Sequence, residues 1–162
     1  MNASSAFTLG DNIERLVLTG TGNIVGNGNE LANIITGNEG NNRLDGGLGS
    51  DKLAGGAGMD KFVFDSALGA TNIDRITDFS VVDDTVLLDQ TIFSALSATG
   101  PLAGTAFWTG GGAHDADDRI IYNPATGALL YDSDGVGGDA AIRFAQLATG
   151  LALTHADFLI IV

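Results

Sequence analysis

Between Gly28 and Val63 the chain repeats itself every nine residues: GNELANIIT, GNEGNNRLD, GGLGSDKLA, GGAGMDKFV. Glycine holds the first position of all four blocks. With 24 glycines in 162 residues, chance produces such a column roughly once in two thousand. The sixth position is Asn33, Asn42, Asp51 and Asp60, and the eighth is Ile35, Leu44, Leu53 and Phe62. A flexible Gly-rich linker has no reason to keep an apolar residue in register with an oxygen-bearing side chain two residues earlier.

The columns have a physical reading. Glycines admit positive φ and let backbone carbonyls approach a shared centre. The sixth-position side chain closes that centre. The last three residues of each block form a strand whose middle member points inward. One inward apolar residue per block makes a thin core. Burial of ~1.5–3 kcal/mol per large side chain does not offset about 1–2 kcal/mol of backbone entropy for every ordered residue. Another source of stability is required. A hard dication held by carbonyl and carboxylate oxygens supplies it, and calcium accepts irregular oxygen shells more readily than magnesium.

Composition agrees. Acids outnumber bases 20 to 7, for a formal net charge of −13. All the acids except Glu14, Glu30 and Glu39 are Asp, which favours turns over helices. No basic stripe exists to neutralise phosphates, so a nucleic-acid partner is not expected, nor is an anionic membrane surface. The chain has no Cys, hence no disulfide framework and no zinc thiolate site. No apolar run is long enough for a membrane span. The first residues lack the basic start and apolar centre of a Sec signal peptide, so export would need another signal.

The nonapeptides resemble the GGxGxDxUx repeat of RTX (hemolysin-type calcium-binding repeat) proteins. GGLGSDKLA and GGAGMDKFV match it at every fixed position, and the two earlier copies carry Asn in place of Asp. The resemblance implies an all-β chain: a right-handed parallel β-roll with two nonapeptides per turn, capped by C-terminal antiparallel strands with one short helix. It also implies an ion between each loop and the next loop on the same side. By position, one ion would take the carbonyls of Asn29, Leu31, Gly46 and Leu48 with the side chains of Asn33 and Asp51. A second would take the carbonyls of Asn38, Gly40, Gly55 and Ala57 with Asn42 and Asp60. Asp51 and Asp60 would each also face a following ion, helped by carbonyls of Gly47, Gly49, Gly56 and Gly58, giving about two to four calcium ions in all. The neutral Asn33 and Asn42 are expected to weaken the early sites, and Leu31, standing where a loop Gly belongs, to strain its turn. TGTGNIVGN (19–27) has Ile24 at the acid position and is read as a metal-free rung. DRITDFSVVDDTVLLDQTIF (74–93) resembles the segment that follows the last repeat in serralysin-like secreted proteins, which places Asp74 or Asp78 at the last ion or, alternatively, as turn caps.

The organisation expected is a lead-in rung over 1–18, the β-roll over 19–63 and a capping region over 64–162. In the last of these, QTIFSAL (90–96) reads as a short helix capped by Asp89. DRIIYN, GALLYDSD and AAIRFAQL read as strands, the first two joined by the turn Asn123–Gly127. HDADD (114–118) reads as a solvated acidic loop. YDSDGVGGD shares Asp132 and Asp134 with the start of an EF-hand loop but lacks the third acid and the closing Glu, so a turn is favoured over a cation site there. The ending HADFLIIV fits a core strand with Phe158 and Ile160 inward, and it also resembles the C-terminal signal of proteins exported by type I (ABC-type) exporters. A bacterial, secreted, extracellular protein is expected. Only His114 and His155 are present, with no H-E-x-x-H, G-x-S-x-G or P-loop, so no catalysis is expected of this chain. The alternative placements are the non-catalytic C-terminal part of a longer secreted peptidase, lipase or epimerase, the tail of an adhesin or surface-layer protein, or a small stand-alone calcium-responsive protein.

Overall fold

The computed structural model describes residues 1–162, with sixteen short strands, two 3₁₀ turns and no α-helix. The strands are β1 (Asn2–Ala3), β2 (Phe7–Thr8), β3 (Arg15–Leu18), β4 (Val25–Asn29), β5 (Ile34–Thr36), β6 (Arg43–Gly47), β7 (Lys52–Ala54), β8 (Lys61–Phe64), β9 (Asp74–Ile76), β10 (Thr85–Asp89), β11 (Gly100–Pro101), β12 (Phe107–Thr109), β13 (Ile120–Asn123), β14 (Ala128–Tyr131), β15 (Ile142–Gln146) and β16 (Phe158–Ile161).

From β1 to β10 the chain coils as a parallel β-roll. Odd strands stack in one sheet and even strands in the other. The register follows the repeat. Leu16, Ile35, Leu53 and Ile76 lie in one row. Gly26, Leu44, Phe62 and Val86 lie in the facing row. All of these residues are buried. Gly26 makes room instead, since a Cβ there would stand 3.1 Å from Leu16 Cδ2. The flanking Lys52 and Lys61 point to solvent, as the period of two in a strand requires.

The cap continues both sheets. β13, β14 and β15 form the expected antiparallel meander, and Gly127, at φ 78°, closes its first turn. β15 lies parallel beside β9, with Ala145 next to Asp74. β16 lies parallel beside β10, with Phe158 next to Val86. Phe158 and Ile160 face inward and are buried. Coil and cap meet at a set of edge-to-face rings. Phe64–Phe144, Phe93–Phe144 and Phe93–Tyr131 all have centroids 5.1 Å apart, a favoured aromatic geometry.

The short helix expected over 90–96 does not form. Asp89 does cap, its Oδ1 accepting from Thr91 N–H at 2.8 Å and its carbonyl from Ile92 and Phe93 N–H. The chain then turns repeatedly. Burial of Phe93 and Leu96 against the cap outweighs the weak helix preference of a seven-residue segment that carries the β-branched Thr91 and Ile92. Helical structure is confined to the 3₁₀ turns Gly104–Ala106 and His155–Asp157. No helix is long and apolar enough to cross a membrane.

Candidate metal centre

The two sheets share two edges, and the nonapeptide loops fall on them alternately. On one edge, loop 28–33 lies against 46–51, which lies against the segment entering β9. A column of side chains links them. Asn33 N–H donates to Asp51 Oδ1 at 2.7 Å, and Asp51 N–H donates to Asp74 Oδ1 at 3.0 Å. On the other edge, Asn42 N–H donates to Asp60 Oδ1 at 2.7 Å and Asp60 N–H to Asp84 Oδ1 at 2.9 Å. Each column thus ends in a buried carboxylate supplied by the segment after the repeats.

Asp51 is 2% exposed and Asp60 1% exposed, and in both the Oδ2 atom is buried without a donor. A Cβ at Gly46 would collide with Asp51 Oδ2, and one at Gly55 with Asp60 Oδ2. The glycines therefore hold open the space that these oxygens face. A buried carboxylate without a counter-charge is costly, and the acidities show it. Burial pushes Asp51 from 3.8 up to about 6, with Asp45 adding repulsion. Burial does the same to Asp60, also to about 6, with Asp84 and Asp78 repelling it. Asp74 rises to about 8, chiefly by burial and then by Asp51 and Asp45. Asp84 is raised by burial, Asp78 and Asp83. No Lys or Arg forms an ion pair with any carboxylate, the single pair being His114–Asp115 at 3.3 Å. Unpartnered buried oxygens, close-approaching glycine backbone and unneutralised acid columns fit an oxygen-liganded dication.

The two halves of the repeat are built differently. Gly47, Gly49, Gly56 and Gly58 have φ between 83° and 111°, which a side chain adopts only with strain. The earlier loops have no such residue. Leu31 does not adopt positive φ, so the strain expected there is absent. Its N–H instead bonds to Asn29 Oδ1 at 2.9 Å, and Gly40 N–H bonds to Asn38 Oδ1 at 2.8 Å. The amide ends of the same two Asn residues reach the rung beneath. Asn29 Nδ2 donates to the Gly10 and Ile13 carbonyls, and Asn38 Nδ2 to the Thr19 and Gly22 carbonyls. An amide group thus ties each of these two loops to the rung before it.

The remaining expected residues separate. Asp74 and Asp78 sit on opposite edges. Asp74 extends the Asn33–Asp51 column, while Asp78 caps a turn, accepting from Gly55 and Gly56 N–H at 2.9 and 3.0 Å. The residue that extends the other column is Asp84, which the sequence reading missed. A signal for it exists: Asp51, Asp60, Asp74 and Asp84 each precede an inward apolar residue by two positions (Leu53, Phe62, Ile76, Val86). Asp132 Oδ1 accepts from Asp134 and Gly135 N–H, and Asp134 Oδ2 from Gly138 and Asp139 N–H, so both organise the 132–139 turn. His114, Asp115 and Asp118 bring ligand-type atoms within 4.8 Å of one another, with His114 and Asp115 exposed.

No curated protein matches the chain in sequence. Solved structures do match. The chain resembles the solution structure of the AlgE6R3 subunit from the Azotobacter vinelandii mannuronan C5-epimerase at 25% identity and a TM-score of 0.53, over 97% of this chain and 80% of that one. Residues 27–61 match the RTX calcium-binding nonapeptide repeat in four copies. The loops that hold Asp51 and Asp60 lie within this match, while Asp134, whose Oδ1 is also buried without a donor, lies outside it. The chain accordingly carries RTX calcium-binding repeats within a parallel β-roll.

Proposed function

We propose that this chain is an extracellular calcium-responsive module, loose where calcium is scarce and folded where it is abundant. The observation that carries this reading is the pair of buried, unpartnered oxygens on Asp51 and Asp60. Metal-free, the coil must bury them unneutralised, whereas an ion bound only by assembled loops stabilises the folded state by mass action. At a free concentration ten times Kd, each site contributes about 1.4 kcal/mol. A few such sites are comparable with the stability of a small domain. The ligands are those named above from the loops 28–33, 37–42, 46–51 and 55–60, with Asp74 and Asp84 closing the two columns.

The far-UV circular dichroism of chelator-treated protein, followed by addition of excess calcium, tests this reading. β-Structure is expected to rise cooperatively, with Asp51→Ala and Asp60→Ala each shifting the midpoint to higher calcium than Asp132→Ala does. A spectrum indifferent to calcium, or equal shifts in all three variants, would refute it.

The chain is read as non-catalytic, serving beside a catalytic or adhesive part of a longer secreted protein. The likeness to a subunit of an epimerase favours the enzyme-linked placement. The C-terminal HADFLIIV is read as a type I export address that afterwards folds as β16. Export by cells carrying such an exporter should be lost when residues 155–162 are removed, and undiminished export would dismiss the address.

A further inference from the structure

Where coil gives way to cap, three carboxylates from separate stretches meet around a cavity of about 10 Å³, room for one water-sized species. Asp45 comes from β6, Asp65 from the residue after β8, and Asp74 from the start of β9. Asn72 completes the wall. Its Nδ2 donates to the Ala67 carbonyl at 2.9 Å, while its Oδ1 is buried with no donor. Asp45 Oδ1 accepts from Gly47 N–H at 3.0 Å, and its residue shares the cavity wall with Asp65. Asp74 is 4% exposed, and its Oδ1 accepts from the N–H of Asp51, itself almost wholly buried with its Oδ2 bare. Arg43 is the nearby base acting on Asp45, yet it forms no ion pair with it. Ser66 spends its hydroxyl on Asp65. The wall is therefore rich in acceptors and almost without free donors. Water, with two hydrogens to give, neither satisfies nor neutralises such a set.

We propose that this cavity is a cation site of its own, holding calcium on Asp45, Asp65, Asp74 and the Asn72 side-chain oxygen. The proposal rests on the calcium reading of the coil and shares Asp74 with it, while its other ligands lie outside the nonapeptide register. Asp45 is the ninth residue of its block, a position the repeat leaves free, and Asp65 and Asn72 belong to the inserted loop that carries the chain from β8 to β9. An irregular shell of carboxylates and one amide oxygen suits calcium better than magnesium. The ion would pin that loop to the last turn of the coil, beside the Phe64–Phe144 contact.

Calcium stoichiometry of the full chain, measured by equilibrium dialysis after chelator removal, decides the matter. Asp65→Asn and Asp45→Asn keep shape and, at Asp45, the oxygen that accepts from Gly47. Each is expected to lower the bound calcium by one ion, or to weaken one site about tenfold or more, with a wild-type spectrum in excess calcium. Asp60→Asn, on the opposite edge, should weaken a different site and leave this one. Unchanged stoichiometry and affinity in both Asp65→Asn and Asp45→Asn, while Asp51→Asn and Asp60→Asn lose calcium, would overturn the cavity site alone. Absence of any calcium binding by the wild type would overturn the coil reading and this site with it. Should either variant fail to fold, anomalous scattering from a lanthanide-soaked wild-type crystal replaces it. A peak among Asp45, Asp65 and Asp74 upholds the site, and none there refutes it.

Discussion

Gly28 shows what a single position must supply. Its φ is not in the left-handed region, so conformational freedom is not the reason for glycine here. Space is: a Cβ would collide with the Gly46 carbonyl oxygen and with Asn33 Oδ1. The carbonyl belongs to the next loop on the same edge and is one of the oxygens expected to face the ion. Gly28→Ala must therefore push two turns apart. A loss of about 1–3 kcal/mol is expected, the usual cost of overpacking, together with weaker calcium binding. Gly69→Ala, with nothing within 4 Å of its Cβ, should stay within about 0.5 kcal/mol of the parent. Urea unfolding in excess calcium compares the two, and equal midpoints would contradict the packing argument.

At the scale of elements, the two edge columns give the metal-free protein an unusual response to pH. Asp51, Asp60 and Asp74 are all harder to ionise in the folded state than their ordinary value of 3.8, reaching about 6, 6 and 8 respectively. The folded state thus holds more protons than the unfolded one across that window. Stability from these groups is fully present below pH 3.8 and is lost as pH rises through 6 and then 8. Chelated protein is expected to melt at a lower temperature at pH 8 than at pH 5, with calcium removing or reversing the difference because it binds the ionised form. Thermal melts at both pH values, with and without chelator, check this, and a chelated protein more stable at pH 8 would contradict it.

The same columns explain what was legible beforehand. Ile35, Leu44, Leu53 and Phe62 stand out as inward residues because a strict period repeats their environment. Asp51 and Asp60 stand out because their spacing to those residues never varies. Asp84 was obscured when the period broke. The inserted loop between β8 and β9 lies on the way from Leu53 to Ile76 and equally on the way from Phe62 to Val86, and one more residue is added between Ile76 and Val86. Insertion destroys register in sequence while tertiary pairing restores it in space. Asp45 was hidden for a different reason, since it occupies a column that the repeat itself leaves unconstrained. The helix expected over 90–96 failed because Phe93 and Leu96 answer to rings and strands distant in sequence, which local preference does not see.

For the molecule as a whole, alternation of the loops between two edges has a consequence for how such a chain can change length. One full turn returns the chain to the same edge, as from Ile35 to Leu53, and consumes two nonapeptides. Excision of one nonapeptide would send every later loop to the wrong side. Loss of the block 55–63, for example, would bring Asp74 over Asn42 instead of Asp51, and the strand that receives β15 would fall in the other sheet. Excision of two would leave every partnership in phase. Growth and shrinkage of this architecture by gene duplication or deletion are therefore restricted to even numbers of repeats, a parity rule imposed by geometry before selection on function begins.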